Sequence, residues 1–89
     1  MRVLNSHLNA AEEQSLARLP IGAQARVIAV NGSGAIARRL MEMGVVPGAP
    51  IRVIKTAPLG DPIEIRVRGY HLALRRTEAQ TISVVTSNE

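Results

Sequence analysis

The chain has no cysteine, no phenylalanine and no tryptophan, and its one tyrosine is Tyr70. Without thiols there is no disulfide, no zinc–thiolate site and no cysteine nucleophile. A chain free of cysteine suits the cytosol, where disulfides are rare. With so few aromatics, the core of these 89 residues has to be built from Val, Ile, Leu, Ala and Met, within an apolar share of 46%. A small domain that lacks such staples depends on one compact core. No apolar run approaches the roughly 18 residues of a membrane span. The opening MRVLNSHLNA lacks the long apolar stretch of a secretory signal. A cytoplasmic location is expected.

Acidic residues are also in short supply: seven Asp and Glu face 11 Lys and Arg, for a net charge of +4. Such an excess suits nucleic acid or an acidic surface. The arginines are nevertheless scattered from Arg2 to Arg76, with doublets only at Arg38-Arg39 and Arg75-Arg76. Glu42, Asp61, Glu64 and Glu78 are interspersed among them. Single-strand binders combine a basic groove with aromatic platforms, and here only Tyr70 can stack. A solvated basic surface is the favoured reading. A small basic β-barrel that binds nucleic acid is kept as the alternative.

The pattern along the chain places short elements. Asn9 and Glu12 have capping-box spacing, which allows a short frayed helix over Ala10–Leu19. Pro20-Ile21-Gly22 breaks the chain, and a first strand is predicted over 23–30. Ile36, Leu40 and Met43 recur at helical spacing with Arg38, Arg39 and Glu42 opposite, predicting an amphipathic helix over 35–43. Gly44 stands where a left-handed glycine would stop it. Strands are predicted over 51–56, 63–68, 71–75 and 82–85. The third alternates cleanly, with Ile63, Ile65 and Val67 on one face. Gly69-Tyr70 is read as a type II′ turn, and Thr77-Glu78-Ala79 as a 3₁₀ turn. Five short strands and one inserted helix predict a mainly β fold, a small antiparallel barrel of the SH3-like kind. An OB-fold normally needs more chain. The organisation expected is an N-terminal extension over 1–14, one domain over 15–86 and a tail over 87–89.

Catalytic and metal signals are weak. There is no Ser-His-Asp order, and Gly32-Ser33-Gly34 lacks the lysine and spacing of a phosphate loop. His7 and His71 form no pair at ligand spacing, and a lone strand histidine is more often a surface or hydrogen-bonded residue. Thioether sulfur at Met41 or Met43 prefers soft metals, whereas Fe(II) prefers imidazole and carboxylate. No catalytic residue, cofactor or metal ligand is assigned. Met43 is read as core, and Met41, at the edge of the apolar arc, as a residue that could line an adaptable groove.

Four stretches are distinctive together: LARLPIG over 16–22, RLMEMGVVPG over 39–48, APLGDPI over 57–63 and RGYHLALRR over 68–76. In this order and spacing they closely resemble the FeoA family, from about Ser15 to Val85. The resemblance implies an SH3-like barrel without catalytic activity. It also implies a cytosolic accessory of ferrous iron uptake that contacts FeoB, the membrane transporter with a cytosolic GTPase region. Membrane contact is then indirect, through that partner, and a monomer is expected. The same domain resembles the C-terminal module of iron- and manganese-dependent repressors, but this chain has no room for a winged-helix DNA reader.

The loop Pro58-Leu59-Gly60-Asp61-Pro62 has two readings. Its prolines fix φ and bias the residues before them, and Gly60 is permitted positive φ. One reading is a tight strand connection and no more. The other is a partner-binding surface of Met41, Pro58, Leu59, Gly60, Asp61 and Pro62, in which a loop rigid before docking lowers the entropy cost of binding.

Overall fold

The computed structural model describes residues 13–86. It is mainly β and antiparallel, as the sequence predicts. Six strands are formed: β1 Glu13–Ser15, β2 Gln24–Val30, β3 Pro50–Thr56, β4 Ile63–Val67, β5 Tyr70–Leu74 and β6 Ile82–Thr86. Two helices interrupt them, α1 Gly34–Glu42 and the single turn α2 Arg76–Ala79, and a 3₁₀ turn covers Leu16–Arg18. The strands form one sheet in the order β1-β6-β2-β3-β4-β5, so β1 and β5 remain as edges and the barrel stays open.

The strand residues alternate between a core face and a wet face. Ala25, Val27, Ile51, Val53, Ile63, Ile65, Val67, Leu74, Ile82 and Val84 are all buried and point inward. Register shifts between Val27 and Ala29 on β2 and between Val53 and Lys55 on β3 bend the sheet around them. Two non-strand pieces close the core. Leu16, Ala17 and Leu19 come from the 3₁₀ segment, and Leu40, Val45 and Ala49 from α1 and the chain after it.

The helix stops as the sequence dictates. Gly44 has φ 100, its N–H donates to the Met41 carbonyl, and the Val45 N–H donates to the Leu40 carbonyl. These two bonds make a Schellman motif, which satisfies carbonyls that the helix leaves open. Leu40 and Val45, the apolar pair that accompanies the motif, are both fully buried.

Four expectations need correction. There are six strands rather than five, because Glu13–Ser15 pairs antiparallel with β6. That strand and the 3₁₀ turn over Leu16–Arg18 together replace the described part of the helix expected over Ala10–Leu19. The strand's residues are polar and hold it by backbone pairing, so no apolar alternation marks it. Residues 10–12 of that helix, and most of the expected extension and all of the tail, lie outside the described residues.

The β4–β5 turn falls one residue earlier than predicted, at Arg68-Gly69, with Val67 opposite Tyr70. Arg68 and Gly69 have φ 50 and 90, the two positive values of a type I′ turn, one of the two hairpin turns whose twist matches that of the strands. The turn over Thr77–Ala79 proves α-helical, since the Gln80 N–H reaches back to the Arg76 carbonyl at 2.9 Å.

Candidate interaction site

Five hydrogen bonds organise the loop between β3 and β4, four of them to its own atoms. The Gly60 N–H donates to the Ala57 carbonyl at 2.7 Å, closing a tight turn, and the Ala57 N–H donates to the Pro62 carbonyl at 3.0 Å. Gly60 has φ 85, a conformation that costs glycine little. The Asp61-Pro62 peptide is cis. The remaining three bonds involve Arg76. Its N–H donates to Asp61 Oδ1 at 3.0 Å, one guanidinium nitrogen donates to the Gly60 carbonyl at 3.0 Å, and the other to the Ala17 carbonyl at 3.1 Å. One arginine thereby ties the loop to the 3₁₀ segment.

Leu59 rides at the tip of this braced loop and is 95% exposed. Asp61 lies in the same loop, but one of its oxygens is already engaged by the start of α2. Beside the loop runs a groove of about 330 Å³ lined by Thr56, Ala57, Pro58, Pro62, Glu64 and Ala73, with Lys55 at its rim. Pro58 and Pro62 thus form a wall of the groove.

A further apolar residue stands at the same end of the sheet. The Gly22 N–H donates to the Val53 carbonyl and the Val53 N–H to the Ala23 carbonyl, which lays the Pro20–Gly22 turn along the later half of β3, on the way to the loop. Ile21, at that turn, is 62% exposed. Ile21 and Leu59 are the two most exposed large apolar side chains among the described residues. Sequence reading missed Ile21 and Arg76. The signal for Ile21 was there: an isoleucine between Pro20 and Gly22, in a turn where a polar residue is usual. Arg76 gave none.

Met41 is 43% exposed on α1, whereas Met43 packs against the core. Helix and loop are connected through α2. Arg76 at its start holds Gly60, and Glu78, two residues on, forms an ion pair with Arg39 of α1. Glu78 is buried, and its other oxygen accepts from the Arg75 N–H at 2.9 Å. A buried carboxylate is tolerated only when so partnered. The far end of α1 is fixed by the Tyr70 hydroxyl, which donates to the Met43 carbonyl at 2.7 Å.

His71 faces Arg66 across β4 and β5, and its Nδ1 lies 3.1 Å from Glu64 Oε2. Among the described residues no three His, Asp or Glu side chains converge as metal ligands would. No helix of the described residues is long and apolar enough to cross a membrane.

A bent antiparallel sheet of this size, with a helix inserted after its second strand and exposed apolar tips at one end, defines a small SH3-like domain. Residues 14–86 match the FeoA domain, and the chain belongs to the FeoA family, which serves ferrous iron transport. It is 41% identical over 75 residues to the Fe(2+) transport protein A/Fe(2+) transporter FeoB fusion protein of Porphyromonas gingivalis, a match that covers 82% of this chain and 9% of that one. The chain therefore spans under a tenth of the length of that curated relative. The FeoA protein of Chlorobium tepidum superposes with a TM-score of 0.81 at 43% identity, over 84% of this chain and 71% of its own. The zinc-complexed FeoA of Stenotrophomonas maltophilia, described as a procaryotic SH3 domain protein, superposes with a TM-score of 0.72 at 36% identity, over 80% and 88% of the two chains.

Proposed function

We propose that this chain is a non-enzymatic, cytoplasmic accessory of ferrous iron uptake that docks on the cytosolic GTPase region of a FeoB-type transporter. The observation that carries the reading is the Arg76-braced loop, which presents Leu59 at 95% exposure on a backbone already ordered. An apolar anchor on a rigid loop loses little conformational freedom on docking. The fusion relative supports the choice of partner. A FeoA region and a FeoB transporter joined in one polypeptide meet at high effective concentration, and separate chains would need a surface of their own to meet.

In this arrangement Leu59 enters an apolar pocket of the partner, Ile21 widens the contact, and Pro58 and Pro62 hold the loop wall. Gly60 and Asp61 set the loop's shape from within, and Met41 extends the surface along α1. The test is calorimetric titration of wild type and Leu59→Ala with the cytosolic region of the partner transporter. Loss of a buried anchor of this size weakens binding by about 1–2 kcal/mol, or roughly five- to thirtyfold. Melting curves should be unchanged, since Leu59 touches no core. Equal binding by Leu59→Ala would reduce the loop to a strand connection.

A further inference from the structure

The wet face of the sheet carries a row of cations that no acid in the described residues neutralises. Register sets Gln24, Arg52, Arg66 and His71 directly across β2, β3, β4 and β5. Arg52 and Arg66 are therefore immediate cross-strand neighbours. Directly opposed side chains have Cβ atoms about 4.5–5.5 Å apart, and like charges so placed repel. Arg68 lies two residues beyond Arg66, at the β4–β5 turn, where its side chain runs beside Gly44 at the end of α1. All three are exposed, and none makes an ion pair among the described residues.

The neighbouring acids are engaged elsewhere. Glu64, two residues before Arg66, is turned to His71 at 3.1 Å and to Lys55 at 3.9 Å. Asp61 serves the start of α2, and Glu78 serves Arg39. Arg26, on the same face, is also committed, since its guanidinium donates to the Gly48 carbonyl at 2.8 Å. Around the three uncommitted arginines lies a cleft of about 350 Å³ lined by Gln24, Pro50, Arg52, Arg66, Arg68 and Gly69. Arg68 itself has φ 50, a backbone region that favours Asn or Gly over a long side chain.

The geometry points to this face as the docking site of an acidic, extended segment of a partner protein. Arg52 and Arg66 grip one carboxylate between them, which converts their mutual repulsion into a charge-assisted clasp. Arg68 takes the next carboxylate. Side chains on one face of an extended chain repeat about every 6.6–6.8 Å, so a segment laid along β4 carries its next carboxylate toward the β4–β5 turn that holds Arg68. Single-stranded nucleic acid fits less well, because it wants stacking platforms. The chain has a single Phe, Tyr or Trp to offer, Tyr70. The assignment is independent of what docks at Leu59.

The probe is a fluorescent decapeptide of alternating glutamate and serine, titrated with the full chain and followed by anisotropy. Wild type should bind it, and more weakly as salt rises. Arg52→Gln with Arg66→Gln should weaken binding about tenfold or more, and Arg68→Gln to a lesser extent. Arg18→Gln, an exposed arginine on the 3₁₀ turn, should bind as wild type. The double variant should melt no lower than wild type, because it relieves a like-charge pair. Unchanged binding by the double variant overturns the assignment. So does tighter binding of oligouridine, or of vesicles containing phosphatidylglycerol, through the same arginines.

Discussion

Leu40 and Leu59 are the same residue type with opposite surroundings. Leu40 is 0% exposed at the foot of α1, and Leu59 is 95% exposed at a loop tip. Replacing Leu40 by Ala removes buried methyl groups and leaves a cavity, at a cost of about 2–5 kcal/mol. In a domain this small that is a large share of the total stability, and a urea melt should show the midpoint fall accordingly. A shift worth under about 0.5 kcal/mol would put Leu40 at the surface. Arg68 offers a prediction of the other sign. Its φ of 50 is costly for an ordinary side chain, and Asn tolerates that region in a type I′ turn. Arg68→Asn should stabilise the fold by about 0.5–1 kcal/mol, read as a raised melting temperature, and a lowered one would show that Arg68 packs as well as turns. Both leucine environments were legible in the sequence, one from helical spacing and the other from its bracketing prolines. The conformation of Arg68 was not, because turn type depends on a one-residue choice of register that both strand patterns allow.

At the scale of elements, the sequence disclosed those with apolar periodicity and missed those held by backbone bonds or distant side chains. The alternation of Ile63, Ile65 and Val67 announces β4, and the spacing of Ile36, Leu40 and Met43 announces α1. β1 carries Glu, Gln and Ser and is a strand only because β6 pairs with it. The loop was read as rigid from its prolines alone. Much of its bracing instead comes from Arg76, whose partners lie 16 and 59 residues away in sequence. Arg76→Gln should therefore loosen the loop while leaving the sheet in place. Two charge-assisted bonds to carbonyls are lost, each worth about 1.5–3 kcal/mol when fully formed. Amide exchange at Gly60, whose N–H closes the loop turn, should accelerate by a larger factor than exchange in β4. Equal acceleration at both would mean that Arg76 stabilises the domain as a whole and has no particular hold on the loop.

At the scale of the molecule, the charge and the apolar exposure are separated. The apolar tips Ile21 and Leu59 stand at one end of the sheet, and the arginines Arg52, Arg66 and Arg68, which make no ion pair among the described residues, cluster on its wet face and at the β4–β5 turn. Composition gave the basic excess but not this arrangement, since the three arginines fall on two strands and a turn and meet only through register. The family was legible from motif order, and the FeoA match over residues 14–86 bears it out. The central claim is that the Leu59 loop is where the partner transporter docks. Its most direct test is a nuclear magnetic resonance titration of the isotope-labelled chain with the cytosolic region of FeoB. Amide shifts concentrated at Ile21 and at residues 58–61, with little change at the Arg66–Gly69 segment, are the predicted result. Shifts confined to the arginine face, or no shifts at saturating partner, would contradict it.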